Sequence, residues 1–406
     1  MFKEKDITES IKTETKVPLG FRAGGIHCGI KKSRKDLALI VSDFPATAAA
    51  VFTTNKVQAA PVLASKMVLA NSRFHKAIVV NSGNANACTG ERGYNDAVRM
   101  INETASELGV DANEIFVAST GVIGEPLPIE KIISGIHSVE SKLSGRDFTS
   151  AAEAIMTTDT FAKMVSSTIQ IEGEEITIYG MAKGSGMIHP NMATMLGFVL
   201  TDAKIEKEVF QTLLKESSEK TFNRIIVDGD TSTNDMVIAL ANGASGATII
   251  PQTELYRIFE EELYKILKKL SIDIVRDGEG ATKLIEITVE GAKTDEDAVK
   301  AARTIALSPL VKTAVHGEDA NWGRIIAAVG YSGIEFDPEK FEIIINGVQI
   351  LNQNYSVTLS NAEANQSLKS KNVYMTIRLN GGKGTATCWT CDLSAEYVKI
   401  NGSYRS

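Results

Sequence analysis

The chain is poor in what several large protein classes require. Four cysteines and nine prolines are spread over 406 residues, too few for a disulfide scaffold or a proline-rich chain. No run of about eighteen apolar residues occurs, and the most apolar stretch, Leu37 to Phe52, is broken by Asp43 and Pro45, so no membrane span is expected. The opening MFKEKDITES carries charges and no apolar core, which argues against a secretory signal and leads to a cytoplasmic expectation. Positive charge is not in excess: 43 Lys and Arg face 50 Asp and Glu, a net of −7, so nucleic acid is not an expected partner and small polar substrates suit the chain better. The patterns GxxxxGK[ST], HExxH and GxSxG are missing, and His27, His75, His137, His189 and His316 show no ligand spacing. Cys28 and Cys88 stand alone. Cys388 and Cys391 form the one CxxC, inside a strand-like TATCWTCDL run, so neither a metal nor a redox cofactor is expected.

What is present is an ordinary globular composition, 43% hydrophobic and 23% charged, which excludes global disorder and favours two or three domains at roughly 150 residues each. DLALIVSD and HKAIVVNSGN read as short buried strands, and Val165 to Tyr179 as a hairpin around Gly173. Apolar residues recur at helical spacing from Ile205 to Leu214, with Asp202 as the expected cap, and from Leu255 to Leu270 after Thr253. From Leu284 the pattern changes. Ile285, Ile287 and Val289 alternate, Thr294 to Asp297 resembles a capping box, and the helix after it ends before Pro309. FEIIINGVQIL predicts a hairpin turning at Asn346-Gly347, and Val373 to Leu379 another half-buried strand. The expected architecture is mixed α/β with layered sheets and helices, divided into residues 1–283 and a smaller α+β unit, 284–406.

Two segments invite chemical readings. In RIIVDGDTSTND an apolar strand runs into Asp228 and Asp230. Such paired aspartates suit a phosphotransferase with Asp228 as nucleophile, although the hydroxyl spacing matches only partly and a polar turn explains the same residues. In MAKGSGMIHPNMATMLGFVLTD, glycines at 184, 186 and 197 and Pro190 surround the pair Ala193-Thr194. Glycines permit conformations that bring a hydroxyl against its own preceding carbonyl. Attack by the Thr194 hydroxyl on that carbonyl would convert the peptide to an ester that water can cleave, leaving Thr194 with a free α-amine. An α-amine with a pKa of about 7.7 to 8.0 is roughly a tenth to a fifth neutral at pH 7, so it can serve as the base that threonine needs. From spacing alone, turn chemistry accounts for Ala193-Thr194 equally well.

KGSGMIHPNMATMLGF resembles the self-cleavage region of the ornithine acetyltransferase family, the glutamate N-acetyltransferases of arginine biosynthesis. GFRAGGIHCGIK, NSGNANACTG, VASTGVIGEPLP, DGDTSTND, RDGEGATK, HGEDANWGR and the terminal YVKINGSYRS resemble family segments in order, over nearly the whole chain. The resemblance implies a layered αββα sandwich related to N-terminal-nucleophile enzymes. It further implies cleavage at Ala193-Thr194 into chains 1–193 and 194–406, assembled as α2β2. Thr194 would be the nucleophile, Thr120 and Gly121 the oxyanion-stabilising pair, and Thr157, Lys183, Glu279, Asn401 and Ser406 substrate contacts. Ser406 stands where the family often has threonine. The implied reaction moves acetyl from N-acetyl-L-ornithine to L-glutamate through an acetyl-threonine, with no cofactor; some members also take acetyl from acetyl-CoA. A self-processing aminopeptidase of similar fold is the other reading, although those resembling β-aminopeptidases carry serine at the cleavage point.

Overall fold

The computed structural model describes residues 15–171, 173–189 and 195–403. Ala193, Thr194 and Ser406 lie outside the described residues.

One long strand organises the larger part of the chain. Leu37–Phe52 runs for 16 residues where the sequence suggested a short strand, because its two halves serve different partners. Leu37 to Ser42 lies between Phe21–Ile26 and the antiparallel His75–Asn84, whereas Thr47 to Phe52 pairs with Met236–Ala241. Pairing with His75–Asn84 skips between Val41 and Ala46, and exposed Pro45 sits in that gap, where its missing N–H costs no ladder bond. The strand order is Ile115–Val122, His75–Asn84, Leu37–Phe52, Met236–Ala241, Leu196–Thr201, Glu174–Lys183, Lys163–Ile171.

Side-chain alternation turns these strands into layers. Met236, Ile238 and Leu240 face a core shared with Leu37, Leu39, Ile78 and Val80. Val237, Ala239 and Ala241 point the other way, onto Phe210, Leu213, Phe259, Leu263 and Leu270. Those last five belong to the helices Lys207–Lys220 and Glu254–Arg276, which lay their apolar faces on the sheet as the periodicity predicts. The Thr253 hydroxyl caps the second helix by accepting the Tyr256 amide at 3.2 Å. The expected cap of the first helix is corrected: Lys204–Ile205 pairs with Thr248–Ile249 as a short strand, and Asp202 instead accepts the amides of Leu19 and Thr177 at 2.9 and 2.8 Å.

The C-terminal part has its own six-stranded sheet, ordered Val348–Leu351, Glu342–Ile345, Asn372–Arg378, Leu284–Ala292, Gly384–Cys391, Ile225–Ile226. Asn346 and Gly347 turn the hairpin at φ +48° and +79°, as a type I′ turn requires. Thr294 caps the helix Asp295–Leu307 through the Asp297 amide at 3.2 Å, and Cys388 and Cys391 are buried in their strand. The division at residue 284 remains a proposal, and hydrogen bonding crosses it, since the edge strand Ile225–Ile226 comes from the first part. The DGDTSTND segment therefore spans from one sheet to the other.

Candidate active site

Thr120 and Gly121 end the strand Ile115–Val122, in parallel register with Ser82 and Gly83. Gly121 has φ +133°, and a Cβ there would lie 2.3 Å from the Gly83 carbonyl carbon. No other residue fits so close to a neighbouring backbone. Thr120 is buried, and its hydroxyl oxygen accepts the Lys183 ammonium at 3.4 Å. That leaves the Thr120 hydroxyl proton free to donate elsewhere.

Lys183 closes the strand Glu174–Lys183, directly opposite Leu196. The pairing fixes the chain just past the expected cleavage point. Leu196 is also in register with Met236, the Met195 carbonyl accepts the Met236 amide at 3.3 Å, and the Met195 amide donates to Asp235 Oδ1 at 2.9 Å. On the other side, Asp228 accepts the amides of Met187 and Ile188 at 2.6 and 2.9 Å. Two aspartates of DGDTSTND thus hold the backbone on both flanks of residues 190–194. With both oxygens of Asp228 engaged by amides, the segment serves here as a brace. Asn234, between them in the motif, donates to the carbonyls of Ala85 and Ser119 at 2.6 and 2.8 Å, tying the brace to the strand that carries Thr120.

Lys183 is almost fully buried, and burial drives its pKa down, with the Asp159 charge opposing the shift. Asp159 lies 4.0 Å away, accepts the Gly184 and Thr157 amides at 2.7 and 2.9 Å, and pairs with Lys163 at 2.8 Å. Burial alone would raise the Asp159 carboxyl; the Lys183 and Lys163 charges and these hydrogen bonds overcome it and hold the group well below the usual carboxylate range. Asp235 responds the other way: burial pushes it well up, and the Met195 amide, the Lys183 charge and the Ser232 hydroxyl do not compensate.

The turn after Lys183 reaches the remaining predicted contacts. The Glu279 amide donates to the Ser185 carbonyl at 2.8 Å, and a Cβ on Gly186 would meet the Glu279 carboxyl carbon at 2.6 Å. Glu279 Oε2 in turn accepts Asn401 Nδ2 at 2.8 Å. Asn401 sits on the last described helix, Ala395–Ser403, which brings the C-terminal segment back to this region. Of the predicted residues, Thr120, Gly121, Thr157, Lys183, Glu279 and Asn401 are joined by contacts through Asp159, Ser185 and Gly186. Asp159 and Lys163 were not foreseen, because a lone Asp or Lys in a polar run carries no spacing signal, and Asp235 and Asn234 stood in the DGDTSTND run without a role of their own. Among the described residues no group of three or more His, Cys, Asp or Glu could hold a metal ion, and no helix is long and apolar enough to cross a membrane.

The Lys183 ammonium, the Thr120 hydroxyl and, across the Ser185–Gly186 turn, the Glu279–Asn401 pair are thus linked by a chain of direct contacts. Comparison with known proteins gives this arrangement a family. Residues 22–406 match the model of the ArgJ family. The chain belongs to the ArgJ family. It is similar to the arginine biosynthesis bifunctional protein ArgJ of Symbiobacterium thermophilum, 50% identical over 393 residues that cover 96% of this chain and 98% of the relative. The protein of the same name from Thermotoga neapolitana is 50% identical over 396 residues, covering 96% and 100%. A solved ArgJ structure from Bacillus halodurans is 45% identical with a TM-score of 0.50, covering 51% of this chain and 98% of the solved one. The layered α/β fold expected from the sequence is thus that of an ArgJ-family enzyme, an acetyltransferase of arginine biosynthesis.

Proposed function

We propose that the enzyme moves acetyl from N-acetyl-L-ornithine to L-glutamate through an acetyl ester on Thr194, after cutting its own chain between Ala193 and Thr194. The observation that carries this reading is the contact of Lys183 with Thr120, at 3.4 Å, on the strand whose partner Leu196 begins two residues past Thr194. The contact supports the reading because Thr120 and Lys183 then lie beside the strand that starts just past Thr194. The Bacillus halodurans chain supports processing in the family, since 98% of it is matched by 51% of this one, whereas the curated relatives match nearly end to end.

In the first half-reaction the Thr194 hydroxyl attacks the acetyl carbonyl and passes its proton to its own α-amine. The Thr120 hydroxyl and Gly121 amide hold the oxyanion; one such donor typically contributes about 2.7–4 kcal/mol to barrier lowering. Ornithine departs as the amine with that proton, and glutamate enters the same pocket to receive the acetyl group, a ping-pong sequence. Lys183 holds the α-carboxylate and Glu279, steadied by Asn401, the amine, with Thr157 and Ser406 as further contacts. Acetyl-CoA serves as a second donor, as the word bifunctional in the relatives' names suggests. The processed chains assemble as α2β2 in the cytoplasm, and no cofactor takes part.

Intact mass of wild type beside Thr194→Ala tests the reading. Fragments of 1–193 and 194–406 are expected from wild type alone, and a wild-type chain that stays whole would overturn the mechanism. Acetylglutamate formed from glutamate and acetyl-CoA without acetylornithine is the expected sign of the second activity; no product would leave only the exchange reaction.

A further inference from the structure

Behind the site runs a buried row of alternating charge: Asp277, Lys163, Asp159, Lys183. Lys163 meets Asp277 at 2.6 Å and Asp159 at 2.8 Å, with no side-chain exposure, and Asp277 also accepts the Thr160 amide and hydroxyl. The two lysines differ in how well they are satisfied. Lys163 has a carboxylate on each side at full hydrogen-bond distance. Among the described residues Lys183 has Thr120 at 3.4 Å and Asp159 at 4.0 Å, both long for an ammonium with three donors. A buried cation with spare donors is a place for an anion. Asp159 stands between the two and also receives the amides of Thr157 and Gly184. One carboxylate therefore fixes Thr157 and both the backbone and the charge of the Lys183 turn.

We propose that Asp159 is a positioning residue that makes Thr157 and the Lys183 ammonium a single carboxylate-binding unit, presented unchanged to the acetyl donor and then to the acceptor. The proposal rests on the acetyl-threonine reading and extends it. The charged groups acting on Lys183 are Asp159, Asp235 and Glu279 on the negative side and Lys163 and Lys31 on the positive side. Asp235 is pushed towards its neutral form by burial, Glu279 is shared with Asn401, and Lys163 is balanced by Asp277. Asp159 is thus the ionised partner that offsets the burial of Lys183. Without it, desolvation dominates and the ammonium loses its proton more readily as pH rises.

The test is Asp159→Asn, with KM and kcat for acetylornithine and for glutamate at pH 6.5 and 8.5. Both KM values are expected to rise at least tenfold at pH 8.5 with a smaller change in kcat, and to recover several-fold relative to wild type at pH 6.5. A defect of folding alone would not be relieved by acid, and titration of the substrates themselves cancels in the comparison with wild type. Where Asp159→Asn is not recovered as folded protein, Asp277→Asn carries the same test. Lys163 then turns wholly to Asp159 and weakens its hold on Lys183, so KM at pH 8.5 rises several-fold and that at pH 6.5 stays near wild type. Unchanged or pH-independent KM ratios in a cleaved, active background overturn the proposal. An uncleaved, inactive wild type would instead defeat the acetyl-threonine reading.

Discussion

Asp235 accepts the Met195 amide at 2.9 Å from a carboxyl that is almost fully buried and whose second oxygen has no hydrogen-bond partner among the described residues. Met195 comes directly after Thr194, so this bond sets where the chain leaves the proposed cleavage point. Asp235→Ala should slow processing at least tenfold. Asp235→Asn, which keeps a carbonyl oxygen for the amide, should process at close to the wild-type rate. A denaturing-gel time course after synthesis reads both, and equal rates in wild type and Asp235→Ala would sink the idea.

Gly121 tolerates no side chain. With φ at +133° and the Gly83 carbonyl carbon 2.3 Å from where a Cβ would stand, Gly121→Ala adds backbone strain of about 1–3 kcal/mol to a direct clash. It should lower the unfolding temperature. Alanine keeps the backbone amide, but relieving the clash must shift it, so any folded fraction should lose up to ~10²-fold in kcat, the typical cost of one misplaced oxyanion donor. Near-normal kcat in folded Gly121→Ala would remove this residue from the proposed oxyanion pair.

Stability should fall on mild acidification because of His75. It is fully buried against the Phe116 ring, with centroids 4.6 Å apart, and burial, aided by the Lys207 charge, pushes its pKa down to about 4. In the unfolded chain the ring titrates near 6.5. Between those values the unfolded state binds more protons, so this contribution is complete above pH 6.5 and is lost as pH falls towards about 4. Urea midpoints at pH 7 and pH 5 should differ less in His75→Phe than in wild type. An equal difference would show that other groups govern the acid limb.

Asn401 reaches Glu279 from 122 residues away, at 2.8 Å. Asn401→Ala removes one hydrogen bond to a carboxylate in a partly exposed setting, worth about 1 kcal/mol. KM for glutamate should rise roughly fivefold with kcat little changed, by the usual conversion of energy to affinity. Substrate-independent loss of kcat would mean that the last helix supports the fold and not the pocket.

Local features were readable wherever short-range chemistry dominates. Asn346-Gly347 needs positive φ at both positions, Thr253 and Thr294 cap the helices that begin just after them, and the alternation around Ile287 names a strand before any contact is known. Asp202 shows the limit. Its carboxylate fits a helix cap by sequence, yet amides from Leu19 and Thr177 claim it. Sequence distance hides such competitors.

The amino-acid sequence by itself determined the family, because its motifs occur in the family's order along nearly the whole chain, and that resemblance named the six residues proposed here for the site. Tertiary structure alone decided that DGDTSTND braces both flanks of residues 190–194, that Asn401 returns to Glu279, and that Asp159 stands between Lys163 and Lys183. These are pairings of buried polar groups, and burial in low dielectric is what makes a partner obligatory. Which partner is within reach depends on strand order, with Leu37–Phe52 pairing with His75–Asn84 along one half and Met236–Ala241 along the other, and Ile225–Ile226 joining the C-terminal sheet, information that no local window of sequence contains.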